Sequence, residues 1–153
     1  MRRQTSVLTV APVLMNAWLA ALSTRPAGPL LAVPTLRLCT GDVAIGPETV
    51  VGDLTEATFG GYAPVAVTLS GPVTMPNGGR ALLAQALFEA DGTIVGPGEA
   101  ISGYELTNDG SPPTILYAAE AFAEVVQFAA AGDFLTLDVY IPIPTDLDAS
   151  QAQ

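Results

Sequence analysis

The sequence contains no histidine and no lysine. These residues supply the base in Ser-His and Ser-Lys nucleophilic sites, and a phosphate-binding P-loop also requires a lysine. Carboxylate pairs remain, Asp53 with Glu56 and Glu120 with Glu124, and such pairs can hydrolyse glycosides. A helix cap explains the first pair more simply, and a solvated face explains the second. We therefore expect no enzymatic activity, no catalytic residues and no cofactor.

The sequence contains a single cysteine, Cys39. One thiol cannot form an internal disulfide or a thiolate metal cage. Its neighbours Leu36 and Leu38 indicate a strand, in which cysteine behaves as a small buried hydrophobe. Calcium needs only oxygen ligands, and aspartates stand at predicted turns, but without the spacing of a calcium loop. We interpret them as turn residues and expect no metal site, with a calcium site at a subunit junction as the alternative. These aspartates are Asp42, Asp91 and Asp109.

Positive charge is scarce as well. Five arginines face 15 acidic residues, which gives a formal net charge of −10. Nucleic-acid binding needs clustered positive charge, so we expect no nucleic-acid partner. Half of the residues are hydrophobic and only 13% are charged, against about a quarter in an average domain. A chain with so few charged residues is expected to cover part of its apolar surface, which predicts a homo-oligomer or a component of a larger assembly.

The first 31 residues form a separate N-terminal arm in the predicted organisation. Two arginines followed by an apolar run are similar to a secretory signal. Pro12 and Asn16 interrupt that run, and no good cleavage site follows it. Export of the chain therefore remains the weaker alternative.

An amphipathic helix from about Pro12 to Leu22 is the favoured interpretation of the arm. Proline is well tolerated in a first helical turn, and Leu14, Trp18 and Leu22 fall on one face at helical spacing. The segment is too short to cross a bilayer, so we expect no membrane insertion. Its apolar face is a candidate interface with the same domain or with a neighbouring subunit.

Short apolar runs separated by Gly, Pro, Asn and Asp turns dominate the rest of the chain. This pattern predicts an all-β fold, a β-sandwich or jelly-roll-like domain over residues 32–144. Residues 135–141 show the clearest alternation of apolar and polar positions. Residues 80–89 and 115–131 fit either a helix or a strand. Residues 145–153 are predicted to be a flexible acidic tail.

One short helical turn is predicted in the segment from Thr49 to Tyr62. Asp53 is placed to cap the start of a helix, with Glu56 as its capping-box partner three residues later. Gly60 and Gly61 are predicted to end the helix after one to two turns, because glycine adopts the left-handed conformation without penalty.

Aromatic residues in the body are the remaining candidates for contact with a partner. Tyr62 and Tyr104 each follow a glycine, a setting that suits packing across a sheet as well as an interface. With Phe59 and the arm residues they complete the candidate interface set. Its members are Leu14, Trp18, Leu22, Phe59, Tyr62 and Tyr104.

The segment from Leu36 to Val67 resembles a pattern found in small structural proteins of tailed bacteriophages. In that pattern a strand is followed by a Pro-x-Thr turn, by Asp-Leu-Thr-Glu-Ala-x-Phe-x-Gly-Tyr and by a second strand. Weaker similarity extends over most of residues 36–141 and favours strands in the two ambiguous segments. The matching residues of the specific part are Pro47, Thr49, Asp53, Leu54, Thr55, Glu56, Ala57, Phe59, Gly61 and Tyr62.

The resemblance implies a virion component made in the cytoplasm of a bacterial host. A capsid decoration or cement protein that binds and stabilises the phage head is the function it favours. Such proteins are small, β-rich, non-enzymatic and oligomeric, with a trimer favoured, and the implied partners are the major capsid protein or other virion subunits. A head-tail or tail structural component, and a β-sandwich adhesin or receptor-binding module, are the alternatives.

Overall fold

The structure, a computed structural model, is mostly β-strand and has almost no helix in the part of the chain that it describes. This confirms the predicted all-β class. The described residues are 2–7, 34–41, 45–46, 48–75, 78–91, 99–108 and 111–142. The strands are β1 (Arg2–Val7), β2 (Thr35–Thr40), β3 (Thr55–Glu56), β4 (Val65–Ala66), β5 (Ser70–Thr74), β6 (Arg80–Glu89), β7 (Glu99–Thr107), β8 (Leu116–Phe128) and β9 (Phe134–Pro142).

The strands form two sheets. The first has the order β1-β9-β6-β5, and the second has the order β3-β2-β7-β8 with β4 also paired to β2. All pairings are antiparallel except that of β1 with β9. Because β7 occupies one edge of β2, strands β3 and β4 both lie along the other edge. The loop between Glu56 and Val65 leaves this edge and returns to it.

A single core cluster contains residues of both sheets. In β9 the apolar positions of the predicted alternation, Leu135, Leu137, Val139 and Ile141, are all buried, but the polar position Asp138 is buried as well. Burial of such apolar side chains supplies the main favourable free energy of folding. The second sheet contributes mainly from β2, β7 and β8, with Leu36, Leu38, Ile101, Tyr104, Leu106, Val126 and Phe128.

Both ambiguous segments are strands, as the resemblance favoured. Strand β6 pairs with β9 from Ala81 opposite Pro142 to Glu89 opposite Phe134. Strand β8 pairs with β7 and shows two irregularities of register. The spacing of the apolar residues in these segments is compatible with a helix, but pairing with neighbouring strands favours the extended conformation. The sequence of one segment alone does not reveal that pairing.

The helical turn lies earlier than predicted. A single 3-10 turn spans Val51–Asp53, so Asp53 ends the turn instead of starting a helix. Its carboxylate accepts a hydrogen bond from the Val50 N–H at 3.0 Å, the role expected of the third residue of a capped turn. Glu56 is not a capping partner, because Thr55–Glu56 forms β3 and pairs with β2.

At the N-terminus, Arg2–Val7 runs parallel to β9 in the first sheet. The predicted helix Pro12–Leu22, with Leu14, Trp18 and Leu22, lies outside the described residues, as does the tail at 145–153. In the described ranges, no helix has the length and apolar character needed to cross a membrane.

Candidate functional site

Strands β2 and β7 are buried on both of their sides. On the core side Leu38 lies opposite Tyr104, and both are completely buried. On the other side Arg37 lies opposite Glu105, with Thr107 beside them, and these polar residues are at most 5% exposed. Burial of ionised groups is costly unless they are paired and hydrogen-bonded, so this polar side is the most unusual feature of the described structure. We call Arg37, Glu56, Tyr62, Glu105 and Thr107 the polar cluster.

Arg37 forms the centre of the polar cluster. One of its terminal nitrogens donates to both carboxylate oxygens of Glu56 at 2.9 Å, and its Nε donates to the Thr107 hydroxyl at 3.1 Å. The Arg37 side chain is only 6% exposed. Charge-assisted hydrogen bonds of this kind are stronger than neutral ones, and here they join β3 to the adjacent strands.

The Tyr62 hydroxyl completes the edge of β2 between β3 and β4. It donates to Glu56 Oε1 at 2.9 Å and accepts the Leu38 N–H at 3.1 Å. The Leu38 carbonyl in turn accepts the Ala57 N–H at 2.9 Å. The N–H and the carbonyl of Leu38 thus both have hydrogen-bond partners, although neither β3 nor β4 pairs with Leu38 on this edge of β2. Burial raises the pKa of Tyr62 far above its ordinary value, so the phenol is neutral.

Aromatic stacking fixes the loop that carries Tyr62. The Phe59 ring stacks on Phe128 with centroids 4.2 Å apart, and Tyr62 meets Phe59 edge-on at 5.2 Å. Tyr62 also stacks on Phe88 at 6.1 Å, which connects the loop to the first sheet. Phe59 is 7% exposed. The prediction of Phe59 as an interface residue is therefore wrong, and the half-buried Tyr62 ring is engaged with the core.

Tyr104 is also a core residue and not an interface residue. It is completely buried, its hydroxyl donates to Glu120 at 2.9 Å, and its ring lies 6.0 Å from Phe122. Gly103 permits this packing, because a Cβ there would lie 2.5 Å from the Glu120 carbonyl oxygen. Of the two readings of a glycine followed by tyrosine, core packing is the one found in the structure.

Gly61 holds the loop against the end of β6. Its φ of +84° is the left-handed conformation predicted for this glycine. A Cβ at Gly61 would lie 2.7 Å from the Asp91 backbone nitrogen, and the Asp91 N–H donates to the Gly60 carbonyl at 3.1 Å. The close approach thus requires a residue without a side chain. Asp91 itself is exposed, and the rest of its predicted turn lies outside the described residues.

Cys39 lies on the same side of β2 as Arg37 and is 1% exposed. Burial raises the pKa of its thiol to about 12, and the carboxylates of Glu105 and Glu56 add to the shift. A thiol with this pKa is neither a nucleophile nor a metal ligand at neutral pH. The prediction of a buried cysteine in a strand is confirmed.

Glu105 is the one member of the polar cluster whose hydrogen bonding is incomplete. It is 3% exposed, and its Oε2 has no hydrogen-bond partner among the described residues. Burial raises the pKa of the Glu105 carboxyl to about 7, with Arg37 opposing the shift and Glu56 adding to it. The group therefore exchanges its proton close to neutral pH.

No sequence pattern predicts a functional role for Arg37, Glu105 or Thr107. Arg37 and Glu105 each alternate with apolar residues, which is typical of a side exposed to water. The opposite charges of Arg37 and Glu105 are the one feature that could indicate their pairing. That feature can be recognised only when the register of β2 with β7 is known.

The polar cluster is a network of two carboxylates and one arginine. It can bind a proton at Glu105, and it attaches the loop from Glu56 to Tyr62 to β2. In the described part of the chain, no group of three or more His, Cys, Asp or Glu side chains is placed to bind a metal ion. No family model, curated protein or solved structure matches the chain.

Proposed function

We propose that this chain is a structural protein of a bacteriophage virion, a decoration or cement protein that binds and stabilises the assembled head. The observation that carries the proposal is the resemblance of residues 47–62 to the pattern of small phage structural proteins. In the finer classification that we propose, the two sheets form a β-sandwich. The protein acts as a homo-oligomer, with a trimer favoured.

The roles of the matching residues support this proposal. Glu56 binds Arg37, Tyr62 completes the edge of β2, and Phe59 stacks on Phe128. Gly61 adopts the conformation and the close approach that need glycine. The segment is thus a determinant of the fold, which suits a pattern shared by proteins with a common scaffold.

Exposed apolar side chains are candidates for contact with the shell or with other copies. Val50, Leu87, Ile115 and Val125 are each at least 50% exposed. In a chain with few charged residues, such side chains favour association through burial of apolar surface. A ligand that binds only the assembled shell stabilises it by about 2.7 kcal/mol at a hundredfold excess over its Kd.

Co-sedimentation with undecorated shells of the encoding phage tests the proposal. We expect the chain to pellet with the shells and to raise the temperature at which they disrupt. Leu87→Asp and Val125→Asp should reduce binding, whereas Thr68→Asp, at an exposed polar position, should leave it unchanged.

A chain that stays in the supernatant with intact shells, and leaves their disruption temperature unchanged, contradicts the head-binding role. Binding to isolated tails or connectors under the same conditions would instead support a head-tail or tail component. Binding to host cells or glycans would support the adhesin or receptor-binding alternative.

A further inference from the structure

The polar cluster contains two carboxylates and one guanidinium on a buried side of the second sheet. Arg37 donates to Glu56 and Thr107, while Glu105 occupies the position directly opposite Arg37 on β7. When Glu105 is ionised, the three charged groups carry a net negative charge away from water. Such an arrangement is stable only if the second carboxylate is neutral or draws on the same arginine.

The groups around Glu105 leave few ways to neutralise it other than a proton. Cys39 and Tyr62 both have raised pKa values and stay neutral across the physiological range, so neither competes as a titrating group. Strand β2 places Arg37 and Cys39 on the side of Glu105, and β3 adds Glu56 with the Tyr62 hydroxyl bonded to it. Thr107 of β7 lies on the same side, and on β8 Ala119 lies opposite Glu105 with Tyr117 two residues away. Glu120 lies opposite Tyr104, on the other side of the sheet.

The hydrogen bonds of Arg37, Glu56 and Tyr62 hold the loop from Glu56 to Tyr62 against β2. Glu56 is fixed by Arg37, and Glu56 in turn accepts the Tyr62 hydroxyl that covers the Leu38 N–H. A weaker bond between Arg37 and Glu56 therefore weakens the attachment of the whole loop from Glu56 to Tyr62.

We propose that Glu105 is a proton-operated switch for the attachment of the Glu56–Tyr62 loop to β2. With a proton on Glu105, Glu56 is the one ionised carboxylate of the polar cluster that draws on Arg37, and the loop is held. Without that proton, two carboxylates compete for Arg37, and the loop opens more often. The proposal is independent of the virion role, because it concerns contacts within one chain.

Native-state hydrogen exchange of two amides tests the switch. The Leu38 N–H is covered by Tyr62, and the Ala57 N–H is bonded to the Leu38 carbonyl. Between pH 5.5 and pH 8 we expect their protection factors, corrected for intrinsic exchange, to fall by about tenfold, the effect of one pKa unit. Amides of β9 such as Val139 report on global opening and should stay more protected than Leu38 and Ala57 at both pH values, because the loop opens without unfolding of the sheets.

Two variants separate Glu105 from the general effect of pH. In Glu105→Gln the protection of Leu38 and Ala57 should no longer depend on pH. Glu124→Gln removes a carboxylate from an exposed position of β8 and should behave like the wild type. Equal pH dependence of Leu38 and Ala57 in Glu105→Gln and the wild type, or protection of Leu38 equal to that of Val139 at both pH values, would overturn the proposal.

A measurement on the wild type keeps the proposal testable if Glu105→Gln does not fold. The carboxyl carbon of Glu105 can be followed by 13C NMR as pH is varied. We expect its titration midpoint near 7 and a matching change in the Leu38 amide shift. A midpoint near the ordinary 4.5 would refute the switch.

Discussion

The two sides of β2 and β7 are both buried, but they are stabilised in different ways. On the core side, Leu38 and Tyr104 pack into the apolar cluster shared by both sheets. On the other side, Arg37 and Glu105 lie among polar groups, and stability depends on hydrogen bonds and on charge. Apolar packing tolerates small changes in shape, whereas a buried ion pair depends on the presence of both partners.

This difference predicts how each side responds to substitution and to pH. Loss of a core side chain costs transfer free energy and leaves a cavity, neither of which depends on proton concentration. Loss of a polar partner leaves a buried charge, and that cost depends on whether the remaining groups are ionised.

The largest expected effect is that of Arg37→Ala. Because it leaves Glu56 and Glu105 without their cation, we expect it to lower the free energy of unfolding by about 3–5 kcal/mol. The loss should be greater at pH 8 than at pH 5, because Glu105 is neutral at the lower pH. Urea denaturation at both pH values provides the measurement.

Two controls distinguish the two sides of the sheet. Leu38→Ala should cost about 3 kcal/mol, equally at both pH values, because it creates a cavity in the core. Arg80→Ala removes an exposed arginine and should cost less than about 1 kcal/mol. If Arg37→Ala cost no more than Arg80→Ala, the contrast between the two sides would be lost.

A second expected effect is the pH dependence of the wild type. The folded-state pKa of Glu105 is raised from 4.5 to about 7, so the folded chain binds this proton more tightly than the unfolded chain. Its contribution to stability is complete below about pH 4.5 and is lost as pH rises through 7, by about 3 kcal/mol.

Denaturation of Glu105→Gln over the same range isolates this contribution. The part of the pH dependence between pH 5 and 7.5 that is due to Glu105 should disappear, while Glu124→Gln keeps the wild-type curve. Superimposable curves for Glu105→Gln and the wild type would show that Glu105 does not titrate in this window.

The smallest of these effects is expected for Tyr62→Phe. The ring packing on Phe59 and Phe88 is kept, but the Leu38 N–H and the Glu56 carboxylate each lose a partner, at a cost of about 1–2 kcal/mol. Tyr140→Phe is the comparison variant, because it removes a hydroxyl from a half-buried tyrosine of β9 in the first sheet. Equal stability of the two variants would mean that water replaces the Tyr62 hydroxyl.

Local patterns in the sequence predict those parts of the fold that depend on one strand or one turn. The buried apolar positions of β9, the buried Cys39 and the left-handed Gly61 all follow from the residue and its near neighbours. The all-β class follows from the turn residues between short apolar runs.

Features that depend on strand pairing could not be predicted in this way. Asp53 was assigned to the wrong end of its turn, because pairing of Glu56 with Cys39 removes the residues that a helix would need. Tyr104 is in the core because Glu120, 16 residues away, accepts its hydroxyl. Arg37 and Glu105 are 68 positions apart in the sequence, and only their register brings them together.

A double-mutant cycle between Arg37 and Glu56 tests the polar cluster most directly. The variants are Arg37→Met, Glu56→Gln and the combination, each measured by urea denaturation at pH 7. We predict that the double variant loses less stability than the sum of the single losses, with a coupling of about 1.5 kcal/mol or more. A coupling within about 0.3 kcal/mol of zero would show that the pair does not hold the loop to the sheet and would contradict the account.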